Sequence, residues 1–196
     1  MTKVVYRKPS KPFNHIMIVV AAPDKADEKI GFILAGERGY VLRDLCKAAG
    51  IEKSACHIAT VFRERPLDGK VANNFTTWLA EAMRDVFVPY RGELLRKEHH
   101  DDYKKLRDTI HKIRPRVIVV LGEIAAWAVA MQSRDNYEDI FNAGPIKFGT
   151  TIPKKPFFYV VLPTHAIKTK LDAAKRKHIL ATLKRAKKLA DKKIGP

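Results

Sequence analysis

Two cysteines are all the chain contains, Cys46 and Cys56. They cannot build a four-cysteine metal or cluster site, and two thiols in a basic chain fit a reducing interior. No run approaches the roughly 18 apolar residues of a membrane span. The opening stretch, MTKVVYRKPSKPF, has no apolar signal core. A soluble, intracellular protein is therefore expected. No internal repeat is visible, and no G-x-x-x-x-G-K-[ST] loop supports a nucleotide-binding reading. Acidic side chains are scarce: 21 Asp and Glu face 38 Lys and Arg, for a formal net charge of +17. Such an excess favours a polyanionic partner, nucleic acid ahead of an anionic membrane surface.

What is present describes a packed globule. Hydrophobic residues make up 46% of the 196 positions, enough for one good core and one domain. Residues 1–14 read as a basic, proline-containing arm, and 15–196 as the domain. Residues 15–22 form a near-continuous apolar run, the pattern of a parallel strand covered on both faces. Val41, Leu42, Leu45, Cys46 and Ala49 recur at helical spacing, so a helix is expected over 36–49, stopped by Gly50. The second strand is expected at 55–62. Phe75, Trp78, Leu79, Ala82, Met83 and Val86 make an i, i+3, i+4, i+7 stripe, which predicts an amphipathic helix. A further helix is expected at 101–113 through Tyr103, Leu106, Ile110 and Ile113. RVIVVLG (116–122) is the third strand, running directly into the helix of GEIAAWAVAM (122–131). FFYVVLP (157–163) is the fourth strand, and 170–193 the final helix. Strands alternating with helices imply a three-layer α/β/α sandwich around a mainly parallel four-stranded sheet.

Three strand ends carry notable loops: AAPD after the first strand, TVFRERP after the second and PTHAIKTK after the fourth. Ligands in open α/β sheets bind at strand carboxyl ends, so these loops should converge on one crevice. The set resembles the uracil-DNA glycosylase superfamily, most nearly its iron–sulfur branch (family 4) and the related phage-type members. The family's first motif, Gly-Glu-Ala-Pro-Gly followed by Gly-x-Pro-Phe-Val-Gly-x-x-Gly, is matched by Val20-Ala21-Ala22-Pro23-Asp24 and then Gly31, Gly36 and Gly39. Its Asn-Val-x-Lys-Cys-Arg-Pro is matched by Thr60-Val61-Phe62-Arg63-Glu64-Arg65-Pro66. IVVLGEIAAWAV is similar to its Val-x-Leu-Gly-x-x-Ala junction. LPTHA resembles its closing Pro-Thr-Tyr-His-Pro, one residue shorter. The likeness covers about residues 15–171.

This resemblance implies a nucleotide flipped into a pocket, because its glycosidic bond is inaccessible in the stack. A donor must then face the departing base, and a carboxylate or held water must stand near the sugar. His165 takes the histidine's place as the donor. The family's glutamate is replaced by Ala21, its asparagine by Thr60, and the glycine after Pro23 by Asp24. Thr60 can form a hydroxyl hydrogen bond but cannot read uracil as an amide does. Asp24 either caps a turn or positions water near the sugar. The base pocket is expected to comprise Ala22, Pro23, Thr60 and Leu34, which holds the stacking position, with Phe32 close enough to substitute. The cluster cysteine's position is Glu64 and the N-terminal cysteine pair is missing, so no iron–sulfur cluster, metal or other cofactor is expected.

Other polar residues read differently. Asp27 and Glu28 are expected on a solvated face; His57, His99 and His100 are read as structural or exposed. Trp78 and Trp127 fall on apolar stripes and are expected in the core. From 168 to 193, eleven Lys or Arg stand against two acids. This predicts a DNA-facing surface carried by Lys168, Lys170, Lys175 and Arg176 and extended by Arg63, Arg65 and Lys70. The expectation is a glycosylase-like protein that binds single- or double-stranded DNA and excises a flipped uracil or modified pyrimidine. The alternative is an inactive module of the same fold, serving replication, packaging or DNA protection, with a replication or repair protein as a possible partner.

Overall fold

In the computed structural model, residues 9–78, 82, 90–130, 146–150 and 157–192 are described. The chain runs β1 (Ile16–Val20), α1 (Lys25–Ile30), α2 (Glu37–Ala48), β2 (His57–Thr60), β3 (Phe75–Thr76), β4 (Leu94–Leu95) and α3 (His100–Ile113). It continues through β5 (Val117–Leu121), α4 (Glu123–Ala130), β6 (Ile146–Thr150), β7 (Phe157–Thr164) and α5 (Ala173–Asp191). The main sheet has the order β2-β1-β5-β7-β6. The four expected strands are all there and mutually parallel, and β6 adds an antiparallel edge beside β7. Lys147 and Gly149 interrupt any apolar run in β6, which is why its pattern does not read as a buried strand.

Alternate residues of each parallel strand serve two different cores, which is why the runs are apolar throughout. Ile16, Ile18 and Val20 pack with Leu42, Leu45 and Cys46 of α2 and with Ile179, Leu183 and Ala186 of α5. Met17 and Val19 turn the other way, joining Tyr103, Leu106 and Ile110 of α3 and Trp127 of α4. Helices thus cover both faces, as a three-layer α/β/α sandwich requires. Register brings the strand ends level: Val20 pairs with Thr60 on one side and Leu121 on the other, and Leu121 pairs with Thr164.

The start of the helix expected from Phe75 onward is corrected. Phe75 and Thr76 form β3, paired with Leu95 and Leu94 of β4, and Ala82 bridges to Arg96. Leu79, Met83 and Val86 lie outside the described residues. Phe75 is drawn into an aromatic cluster, with its ring 4.8 Å from Tyr90 and 5.2 Å from Trp127. Extended pairing serves that burial and overrides the stripe at Phe75 and Thr76, while Ala82 donates its backbone N–H to the Trp78 carbonyl at 3.1 Å. Trp78, expected in the core, is 71% exposed, whereas Trp127 is fully buried. Residues 9–14 make no regular element; Ser10 and Asn14 donate their backbone N–H groups to Ser54 and Ala55.

Candidate functional site at the strand carboxyl ends

The loop leaving β1 is shaped by an interlocked cap. Asp24 is the N-cap of α1, accepting from the Asp27 backbone N–H at 2.8 Å, while the Asp27 carboxylate accepts from the Asp24 N–H at 3.2 Å. Asp27 also accepts from the Ala35 N–H at 2.9 Å. Arg38 of α2 reaches back to both acids, with Nε 2.5 Å from Asp24 Oδ2 and Nη2 3.1 Å from Asp27 Oδ2. Asp27 is therefore not on a solvated face; its side chain is 0% exposed. Three backbone N–H and guanidinium partners are what make burial of that carboxylate tolerable.

Two of the glycines in the following turn allow close packing. A Cβ at Gly36 would stand 2.6 Å from the Ala26 Cβ, and one at Gly39 only 1.7 Å from the Leu34 carbonyl oxygen. α2 can therefore lie against the chain at Leu34, a residue itself held at φ 55°.

Beneath these loops lies a cavity of about 390 Å³. Its walls include Ala22, Pro23, Asp24, Leu34, Arg38 and Arg65, closed on the far side by Ala166 and Ile167 after β7. Gly122, at φ 95°, makes that closure possible: its N–H donates to the Thr164 carbonyl at 2.8 Å, and a Cβ there would stand 3.0 Å from the Ala166 Cβ.

The expected site residues divide. Ala22, Pro23, Asp24 and Leu34 line the cavity, and Phe32 does not, being 57% exposed. Thr60 ends β2 level with Val20 but is buried behind the wall, and its hydroxyl has no hydrogen-bond partner among the described residues. His165 is half-buried and is not among the residues lining the cavity; its ring stands 4.9 Å from that of His178, which in turn meets the Thr164 hydroxyl at 3.0 Å. Of the basic residues, Arg65 lines the cavity and faces Glu28 at 3.6 Å. Arg63 is committed to Asp102 through both its guanidinium and its backbone N–H. Lys168, Lys170, Lys175 and Arg176 are exposed; Lys175 contacts Asp172 at 2.6 Å. Sequence reasoning missed Arg38, Ala166 and Ile167. Only Arg38 left a trace, in the Asp24 and Asp27 spacing of a capping box that invites a cation.

Burial pushes the His165 imidazole below its ordinary value, helped by His178 and Lys175 and opposed by Asp172. Burial also lowers His15 and His99, the latter edge-on to Phe62 at 5.2 Å. For each, the unfolded chain takes up its proton at higher pH than the folded chain does. Stability is then complete above about pH 6.5 and declines as pH falls from there through the folded-state values. Thermal unfolding followed from pH 7.5 to 5 should show the midpoint dropping through that window, and a flat profile would contradict it.

The thiols are not chemical groups of this site. Burial raises Cys46 to about 12 and Cys56 to about 11. They do not fit an iron–sulfur cluster, since both are packed in the α2 side of the core. Among the described residues no three His, Cys, Asp or Glu side chains stand together as a metal ion would need. No described helix is long and apolar enough to cross a membrane. No curated protein matches the chain significantly. Residues 10–187 match the family model described as the Uracil DNA glycosylase superfamily.

Proposed function

The chain belongs to the uracil DNA glycosylase superfamily, and from that premise we propose that it hydrolyses the N-glycosidic bond of a uracil or modified pyrimidine flipped out of DNA. The cavity at the strand carboxyl ends carries this reading. It is walled by Pro23 and Leu34 on one side and Ile167 on the other, room for one extruded base. Asp24 is fixed at that wall by Arg38 and its own cap, so its carboxylate is held without further reorganisation. In this reading it orients a water and offsets the positive charge that grows on the sugar. The water oxygen bonds to C1′ as the C1′–N bond breaks, the electron pair leaves with the base, and the proton shed by the water passes to the Asp24 carboxylate and from there to solvent. His165, whose imidazole burial holds below its ordinary value, precedes the cavity residues Ala166 and Ile167 in the chain, and in this reading it swings in to supply an N–H to the anionic base oxygen. Lys168, Lys170 and Arg176 draw in the phosphates, with Arg65 at the mouth.

The test is an oligonucleotide assay. Single- and double-stranded substrates carrying uracil or another modified pyrimidine are incubated with the protein, then treated with alkali to break abasic sites. His165→Ala and Asp24→Asn should each lower the rate about 10²-fold or more. Asparagine keeps the helix cap, so the second variant isolates the charge. Binding should weaken linearly in log salt. Salt-sensitive binding without cleavage of any base would instead assign an inactive module of the same fold.

A further inference from the structure

A second and larger depression, about 660 Å³, runs along the outer flank of α2, away from the sheet's carboxyl edge. Tyr40, Arg43 and Lys47 line it from the helix, and Lys53 from the turn before β2. The three helix residues are spaced i, i+3 and i+7, so they share one face over roughly 10 Å. Tyr40 is 55% exposed, and the Arg43 guanidinium sits 5.0 Å from its ring centroid. Lys53 Nζ is pinned to the Leu34 and Gly39 carbonyls at 3.3 and 2.9 Å, placing a fixed cation at the groove floor. Two acids lie close by. Glu52 is held at 2.5 Å by Lys11, and Asp44 meets Arg43 at 3.5 Å in an exposed pair worth little.

The groove has a neighbour at each end. Leu34 forms part of its wall and part of the wall of the 390 Å³ cavity. At the other end, the Lys187 methylenes stand 3.4 Å from where a Gly50 Cβ would be. There lies a shallow trough lined by Lys184, Lys187, Lys188 and Lys192 together with Asp191, which pairs with Lys187 at 2.9 Å.

We infer that this groove is a second nucleic-acid site, taking a single-stranded segment with one base stacked on Tyr40 and its phosphates on Arg43 and Lys47. An exposed aromatic face among cations is what sequence-tolerant single-strand binding uses. An acidic peptide would satisfy the cations but make no use of the Tyr40 face. The site rests on the proposed action on DNA only for the source of its strand, which would pass over Leu34 from the cavity.

The probe is a pentathymidylate containing no uracil, titrated into the full chain and followed by fluorescence anisotropy and by backbone amide chemical shifts. Shifts should centre on Tyr40, Arg43, Lys47 and Gly50. Tyr40→Ala should weaken binding roughly five- to hundredfold, the range of one base–aromatic stack. Tyr40→Phe should restore it. Arg43→Ala with Lys47→Ala should reduce the log–log salt slope by about 1.4, for two single-strand phosphates. Unchanged affinity in Tyr40→Ala would overturn the inference, and so would a loss confined to the charge variants, because no base would then be stacked on Tyr40. Shifts confined to the surroundings of Pro23 and Ile167 would overturn it as well. Because the probe has no excisable base, failure here leaves the excision proposal standing, and failure of excision leaves this groove standing.

Discussion

Arg38→Ala is expected to destabilise the fold by about 3 kcal/mol, near the lower end of what breaking a buried ion pair costs. The reason lies with the partner left behind. Asp27 is fully buried, and after the substitution only the Asp24 and Ala35 N–H groups would face its carboxylate. Arg38 itself is 23% exposed, so water can partly replace the guanidinium, which keeps the figure from the upper end. For a chain of this length the loss corresponds to a fall of about 6–12 °C in unfolding temperature. Asp27→Asn should recover part of the loss in the Arg38→Ala background, because the pair would then no longer contain an isolated charge. Excision should also fall in Arg38→Ala, though less than in Asp24→Asn, since Asp24 would lose its Arg38 anchor but keep its carboxylate and its cap. A loss below about 1 kcal/mol, set against the cost of breaking a buried pair, would mean that solvent reaches Asp27 and that the loop is not held as described.

Gly39→Ala is expected to cost about 3 kcal/mol or more, at or beyond the usual range for overpacking. The added methyl would stand 1.7 Å from the Leu34 carbonyl oxygen and 2.5 Å from its carbon. Both are backbone atoms with no rotamer by which to yield, so α2 must separate from the Leu34 turn. Gly31→Ala provides the contrast. Nothing lies within 4 Å of that position, and only its φ of 79° opposes a side chain, a strain of about 1–2 kcal/mol. Denaturant titration of the two variants should therefore rank Gly39 well above Gly31. Equal costs would show that the turn can open cheaply. Because Leu34 borders both the cavity and the α2 groove, the same displacement should impair any ligand at either.

The parallel strands were legible because burial on both faces leaves an apolar run that little else imitates, as in Ile16–Val20 and Val117–Leu121. Helices α2, α3 and α5 were legible through stripes such as Tyr103, Leu106 and Ile110. Periodicity failed at Phe75, where an aromatic cluster made by residues distant in sequence outweighed the local pattern. It failed again at β6, an edge strand whose polar positions leave no such run.

At the site, the resemblance located the loops but not the orientation of their side chains. Pro23 and Leu34 reach the cavity wall, while Phe32, two residues from Leu34, points its bulk to solvent. Asp27 looked like a surface acid because its partners, Ala35 and Arg38, come together only when the glycine turn closes. Thr60 was expected in the pocket, yet the tight pairing of β1 and β2 leaves it behind the wall. Ala166 and Ile167 carry no chemical signature; their place depends on Gly122, whose missing side chain lets them approach.

The most direct measurement is a crystal structure of the complex with an oligonucleotide carrying 2′-fluoro-2′-deoxyuridine, whose glycosidic bond resists hydrolysis. The base should be turned out of the strand and seated between Pro23, Leu34 and Ile167, with its sugar beside Asp24 and an oxygen directed toward His165. A base still stacked in its strand, or one seated anywhere other than this cavity, would contradict that placement.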